Sequence, residues 1–253
     1  MPALTYGWKN WITWMGETHS FCLVFGTSAA PMHAGHVELV VDAVQAFERR
    51  DHQVDEVVLL PVYHRHNISE ETKQSMQDTF EDRLALCQIA AQEISRELNK
   101  PDDWVEVSRL EEFLALESGQ PNYTAESMSV MRAELDPAIQ LSFLVGSDSL
   151  SGSTPNLSHW YHLDALLATT TLVVCPRDGF PVNLGYIEEL KQRGGKIIHL
   201  EEVRVADISS SDIRAKLIES ADPAVVIQLG WLSQPAFDYI LEHHLIEHWR
   251  EQL

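Results

Sequence analysis

Phe21-Cys22-Leu23-Val24-Phe25 is an unbroken apolar run, and it stops at Gly26-Thr27-Ser28-Ala29-Ala30-Pro31-Met32-His33-Ala34-Gly35-His36. A buried strand breaks there into a turn of small residues, and two histidines spaced i, i+3 then open a helix. Such a turn suits a phosphate. Small residues let the anion approach the backbone, a helix N-terminus offers unpaired N–H groups, and imidazoles add donors where negative charge grows. Downstream, Leu39, Val40, Ala43, Val44 and Phe47 recur at helical spacing, so a helix is expected from Val37 to Phe47.

Further along, short apolar runs alternate with longer helical stripes. Strands are expected at Glu56 to Leu60, Trp104 to Val107 (an edge), Leu141 to Val145, Thr171 to Cys175 and Lys196 to Ile198. Helices are expected at Phe80 to Leu98, Tyr123 to Leu135, Trp160 to Ala168, Ile187 to Gln192 and Ser210 to Glu219, with two more on either side of Gln234-Pro235. A polar loop is expected from Tyr63 to about Gln77. This alternation predicts an α/β protein, a doubly wound parallel sheet covered on both faces, with a small helical C-terminal extension. No Gly/Ser linker or break in composition divides it, so residues 21–253 are read as one domain behind an N-terminal extension of residues 1–20. Ligands of such sheets bind beyond the carboxyl ends of the strands.

The chain has 253 residues and a formal charge of −20, with 45% hydrophobic and 22% charged residues. The acidic excess opposes binding to nucleic acid and to anionic membranes, whereas nucleotide binding depends on local donors. Cys22, Cys87 and Cys175 are far apart in apolar segments and form no Cys-x-x-Cys pair, so they read as buried thiols of a reducing, cytoplasmic compartment. No apolar run reaches the length of a membrane span, and residues 1–20 lack the features of a secretory signal. Trp8, Trp11 and Trp14, at i, i+3 spacing, form an aromatic stripe suited to packing on the body or a partner, and a homo-oligomer is compatible with the sequence.

Other polar clusters fall at expected element ends. In Ile208-Ser209-Ser210-Ser211-Asp212-Ile213-Arg214, Ser209 and Asp212 have capping-box spacing, which makes this a well-capped helix start. The same residues form an anion cradle from spare N–H groups, Ser210, Ser211 and Arg214. Gly146-Ser147-Asp148 follows a strand, where a carboxylate can accept from ribose hydroxyls or cap a helix. Trp160-Tyr161 offers stacking surface or core, and Tyr123-Thr124 opens a helix whose N–H groups could take a small carboxylate. His64-Arg65-His66 lies in a loop after a strand and is either mobile positive charge for a ligand or a solvated loop. No nucleophile elbow or Walker loop appears, which favours direct transfer between two bound substrates over covalent catalysis. His33 and His36 alone supply two ligands, too few for zinc, and no protein metal site is expected.

These motifs resemble the nucleotidyltransferases with a His-x-Gly-His signature, and among them the nicotinate mononucleotide adenylyltransferases. Gly26 to His36 is similar to their opening turn, Pro121-Asn122-Tyr123-Thr124-Ala125 to a Pro-Ser-Tyr-Thr-Ala segment, and Leu144-Val145-Gly146-Ser147-Asp148 to a strand end. His159-Trp160-Tyr161, Leu172 to Arg177 and Ile208 to Arg214 follow in the matching order. Three departures stand out: Ala29-Ala30-Pro31 replaces Phe-Asp-Pro, Val62 to Asn67 replaces a Pro-Pro-His-Lys type of loop, and Asn156-Leu157-Ser158 lies within a somewhat longer stretch before Trp160-Tyr161.

The resemblance implies a Rossmann-like sheet and a reaction in which the phosphate of nicotinate or nicotinamide mononucleotide attacks the α-phosphate of ATP, with Mg²⁺ on the triphosphate. It implies that Gly26, Thr27, Ser28, His33, Gly35 and His36 meet ATP phosphates, with His36 nearest the reacting centre. Ser210, Ser211 and Arg214 would hold pyrophosphate, and Gly146 and Asp148 the ribose. Tyr123, Thr124, Trp160, Tyr161, His64 and Arg65 would surround the pyridine nucleotide. The alternatives are an acceptor such as phosphopantetheine or a phosphorylated alcohol, or a non-catalytic nucleotide sensor on the same scaffold.

Overall fold

A computed structural model describes residues 19–63, 80–201 and 208–251. The Trp8, Trp11 and Trp14 stripe and the His64-Arg65-His66 cluster lie outside the described residues. Six parallel strands form one sheet in the order β3-β2-β1-β4-β5-β6. They are β1 (Ser20–Thr27), β2 (Gln53–Pro61), β3 (Val105–Val107), β4 (Ile139–Gly146), β5 (Thr171–Cys175) and β6 (Lys196–His199). The order reverses between β1 and β4, whose carboxyl ends therefore splay apart into a crevice.

Burial on both faces explains why the strands are almost continuously apolar. Along β1, Phe21, Leu23 and Phe25 enter one core while Cys22 and Val24 enter the other. β5 divides in the same way, with Val173 and Cys175 on the first side and Leu172 and Val174 on the second. The first core is closed by α1 (Ala34–Glu48), α2 (Phe80–Glu97) and residues of the C-terminal helices. The second is closed by helices following β3, β4 and β5: α4 (Thr124–Glu134), α5 (Leu163–Thr169) and α6 (Leu184–Gln192). Cys22, Cys87 and Cys175 are all buried.

The C-terminal helices are α7 (Ser210–Glu219), α8 (Val225–Gln228), α9 (Gln234–Glu242) and α10 (Leu245–Glu251). They do more than extend the domain: Ile213, Leu217, Val226, Phe237, Ile240 and Trp249 pack in the same core as β1 and α1. The Ala34 N–H donates to the Trp231 carbonyl at 3.0 Å, tying this region to the start of α1.

Four expectations differ. α3 (Leu110–Ser118) lies where no helix is expected from the sequence; it buries Glu111 and Ala115 and leaves Phe113 and Leu116 exposed, the reverse of an amphipathic pattern. The helix expected from Trp160 begins only at Leu163, because His162 takes a left-handed conformation with φ of 52°. α6 starts three residues before the expected Ile187, where the Asn183 side chain accepts from the Tyr186 N–H at 3.0 Å. Gln234-Pro235 opens α9 instead of separating two helices, with Ser233 as its cap. Among the described residues no helix is long and apolar enough to cross a membrane.

Candidate functional site

A cleft of about 360 Å³ opens at the carboxyl ends of β1 and β4, where the strand order reverses. Its β1 wall is the small-residue turn. Thr27 closes that turn: its hydroxyl accepts from the Ala29 N–H at 3.1 Å, and its carbonyl accepts from the Val62 N–H at 2.9 Å. Ala29 has φ of 49°, a conformation in which an L-residue carries strain. Buried Arg83 of α2 braces the turn from behind, donating to the Ser28 carbonyl at 3.0 Å and to the Val62 and Tyr63 carbonyls. Gly26 is needed for clearance, since a Cβ there would meet the Phe143 ring at 2.8 Å.

His33 precedes α1 as its N-cap and His36 lies in its first turn. Their rings stack at 3.7 Å between centroids, tilted by 28°, and both line the cleft. Burial, then the nearby Arg177 guanidinium, push the His33 pKa down to about 4. Burial, His33 and Arg177 push His36 well below the ordinary imidazole range. Both rings are therefore neutral at physiological pH, offering N–H donors without mutual charge repulsion.

The helix start far away in sequence comes to the same turn. Ser209 and Asp212 form the expected capping box: the Ser209 hydroxyl oxygen accepts from the Asp212 N–H at 3.1 Å, and the Asp212 carboxylate accepts from the Ser209 N–H at 3.2 Å. The Ser210 hydroxyl donates to the Pro31 carbonyl at 3.0 Å, and the Arg214 guanidinium donates to the Ala30 carbonyl and to Ser211. Ser210 and Arg214 thus latch the N-terminus of α7 onto the turn.

On the β4 wall, Gly146 makes room for Asp148; a Cβ there would collide with that carboxylate. Asp148 is exposed on the cleft, in a short 3-10 turn of Ser147–Leu150. Ser147 is fully buried and structural: its hydroxyl donates to the Phe180 carbonyl and its oxygen accepts from the Arg177 N–H, each at 2.8 Å. That pair fixes the backbone of Arg177, which lines the cleft and faces both histidines electrostatically.

Thr124 and Trp160 line the far end of the cleft, with Trp160 edge-on to Phe143 at 6.0 Å. Tyr123 and Tyr161 are brought together, stacked at 4.1 Å, but stand outside the cleft lining. The Tyr123 N–H at the start of α4 donates to the Glu126 carboxylate at 2.8 Å, so that donor already has an acidic acceptor. Gly35 is buried in the first turn of α1. His64 and Arg65 fall outside the described residues.

Two residues of the cleft go unread from sequence. Arg177 ends the segment matched after β5, and its place beyond a strand's carboxyl end was the available signal. Glu111 leaves no signal, because it sits on the inverted face of α3. Its buried carboxyl lines the cleft and accepts from the Tyr63 N–H at 3.1 Å. Burial raises its pKa to about 7, against the lowering effect of the Tyr63 N–H and of Arg83.

These shifts set opposite stability slopes. Buried His33 binds its proton less readily folded than unfolded, so its contribution rises with pH from about 4 to 6.5. Glu111 binds its proton more readily folded, so its contribution falls with pH from about 4.5 to 7. Each is on the order of 3 kcal/mol over its window. Urea unfolding of Glu111→Gln and the native chain, compared at each pH, is expected to show the variant's advantage growing by roughly that amount from pH 4.5 to 7. A difference independent of pH would mean that Glu111 titrates normally.

Among the described residues no three His, Cys, Asp or Glu side chains gather where they could hold a metal ion. The cleft is instead lined by two neutral imidazoles, Arg177 and the small-residue turn, with the carboxyl groups of Asp148 and Glu111 and the Trp160 indole, while Gly35, Ser210, Ser211 and Arg214 stand outside its lining.

Residues 24–216 match the family model described as cytidylyltransferase-like. The chain is 29% identical over 234 residues to a probable nicotinate-nucleotide adenylyltransferase of Cronobacter sakazakii, covering 84% of this chain and 95% of that one. It is 25% identical over 194 residues to a probable nicotinate-nucleotide adenylyltransferase of Gemmatimonas aurantiaca, covering 77% and 79%. Its fold matches the Plasmodium falciparum nicotinic acid mononucleotide adenylyltransferase complexed with NaAD, with a TM-score of 0.65 at 18% identity, over 91% of this chain and 98% of that one.

Proposed function

The chain belongs to the cytidylyltransferase-like family, and from that premise we propose that it is an adenylyltransferase of NAD biosynthesis, acting in the cytoplasm. It transfers AMP from ATP to nicotinate mononucleotide, or to its nicotinamide counterpart. The observation that carries this reading is the junction of two helix starts on one turn: Ser210 and Arg214 grip the carbonyls of Pro31 and Ala30, next to the stacked His33 and His36. The named activity of the relatives agrees with it.

In this reading Gly26, Thr27, Ser28 and the first turn of α1 receive the triphosphate, and Mg²⁺ enters on it as part of the substrate. An oxygen of the acceptor's phosphate bonds to the α-phosphorus in line. The bond to the bridging oxygen breaks, and pyrophosphate leaves with that electron pair. The protein supplies no nucleophile; His36, His33 and Arg177 stabilise the added charge, and α7 with Arg214 steadies the leaving group. Asp148, freed by Gly146, accepts from ribose hydroxyls. Thr124 and Trp160 hold the pyridine end, with the Tyr123–Tyr161 stack beside them.

The test is pyrophosphate release from Mg-ATP with a panel of phosphorylated acceptors. Release is expected with nicotinate or nicotinamide mononucleotide. Release only with phosphopantetheine or a phosphorylated alcohol would replace the acceptor, and ATP binding without release would make the chain a nucleotide sensor.

A further inference from the structure

A second and much smaller void, also lined by His33, lies between α1, α2 and α9. It has room for the centre of a water-sized sphere over about 10 Å³, roughly what a single water needs. Three polar side chains line it, His33, Glu93 and Ser233, and the rest of its lining is apolar. His33 thus lines both the cleft and this void.

Nδ1 of His33 and Oε1 of Glu93 are shut off from solvent, and neither has a hydrogen-bond partner among the described residues. His33 itself is only 5% exposed. Two orphaned polar atoms on residues that line a void of this size call for one molecule that can serve both. Ser233 is committed elsewhere. Its oxygen accepts from the Ala236 N–H at 3.3 Å to cap α9, and beside Glu93 it partly offsets the burial that raises the Glu93 pKa.

We propose that a single buried water bridges Glu93 to Nδ1 of His33, making Glu93 the positioning residue that fixes the tautomer of the first histidine in the His-x-Gly-His turn. Both neighbours of this water are acceptors, a carboxylate oxygen and an imidazole lone pair, so the water donates one proton to each. The ring proton is then held on Nε2, where His33 acts as a donor to the cleft. The arrangement follows the logic by which a carboxylate behind a histidine sets what its other nitrogen presents. The C-terminal region takes part in the site in this way, through the cap of α9.

Three measurements on the full chain test this. A high-resolution crystal structure without nucleotide should show one ordered water within hydrogen-bond reach of both atoms; a dry void overturns the proposal. Nitrogen-15 NMR of the unliganded protein should show His33 as the Nε2–H tautomer; the Nδ1–H form overturns it. Glu93→Met keeps the length and removes the charge and the acceptor. It should lower kcat about tenfold with little change in KM for ATP, while Glu93→Gln, which can still hold the water, should recover most of the loss. An unchanged kcat in Glu93→Met overturns the positioning role. Only this kinetic arm rests on the proposed adenylyl transfer. The water and the tautomer are read without turnover, so failure of that reaction and failure of this inference are distinguishable.

Discussion

Replacing His36 with alanine is expected to lower kcat by about a hundredfold or more, with the affinity for ATP changing far less. The scale is that of one donor aimed at charge that develops in the transition state, roughly 10²–10³ in turnover. The structure gives three reasons to place His36 in that role. It sits in the first turn of α1, where the positive end of the helix dipole favours an anion. Burial and its neighbours His33 and Arg177 keep it neutral, so it enters the reaction as a donor whose gain comes when negative charge builds. Its ring is held between His33 at 3.7 Å and Phe25 at 5.6 Å, which limits its freedom to turn away. Steady-state kinetics with ATP binding measured separately would separate the effects. A rise in KM at constant kcat would mean that His36 binds ground-state ATP only, and no change in either would make it structural.

Legibility in the sequence followed local chemistry and stopped at tertiary partners. β1, β2, β4 and β5 are readable because burial on both faces leaves nearly continuous apolar runs, and each run ends where a polar cluster begins. The Ser209–Asp212 cap is readable because both partners lie within one turn. α3 is not, since periodicity assumes that apolar residues point inward, whereas Phe113 and Leu116 are 62% and 65% exposed and Glu111 is inside. Ser210 and Arg214 show the difference between residue type and partner. Their types suit an anion, but the structure gives them the carbonyls of Pro31 and Ala30, some 180 residues earlier in the chain. Arg177 and Glu93 acquire their relation to the histidines only through folding: one comes from the end of β5 and the other from the middle of α2.

Arg83→Met should destabilise the protein by about 3–5 kcal/mol, the range for removing one partner from a buried charged network. Arg83 is 2% exposed and lies on the Phe80 ring at 5.2 Å, so its stem and plane are packed as well as its charge. Its guanidinium serves the Ser28, Val62 and Tyr63 carbonyls together and lowers the cost of the buried Glu111 carboxylate. Methionine fills a similar volume but removes the donor these three carbonyls share, and it leaves Glu111 without its nearby cation. The consequence for function follows from which segments are joined: the small-residue turn at Ser28 would no longer be tied to the exit of β2. Turnover should therefore fall even where most molecules remain folded, and Glu111 should titrate higher still. Arg83→Lys keeps the charge without the planar fork, so it should recover only part of the stability. Urea unfolding at neutral pH measures the effect directly. A loss within about 1 kcal/mol would be the size of an ordinary surface change, and would mean that the turn stands without this brace.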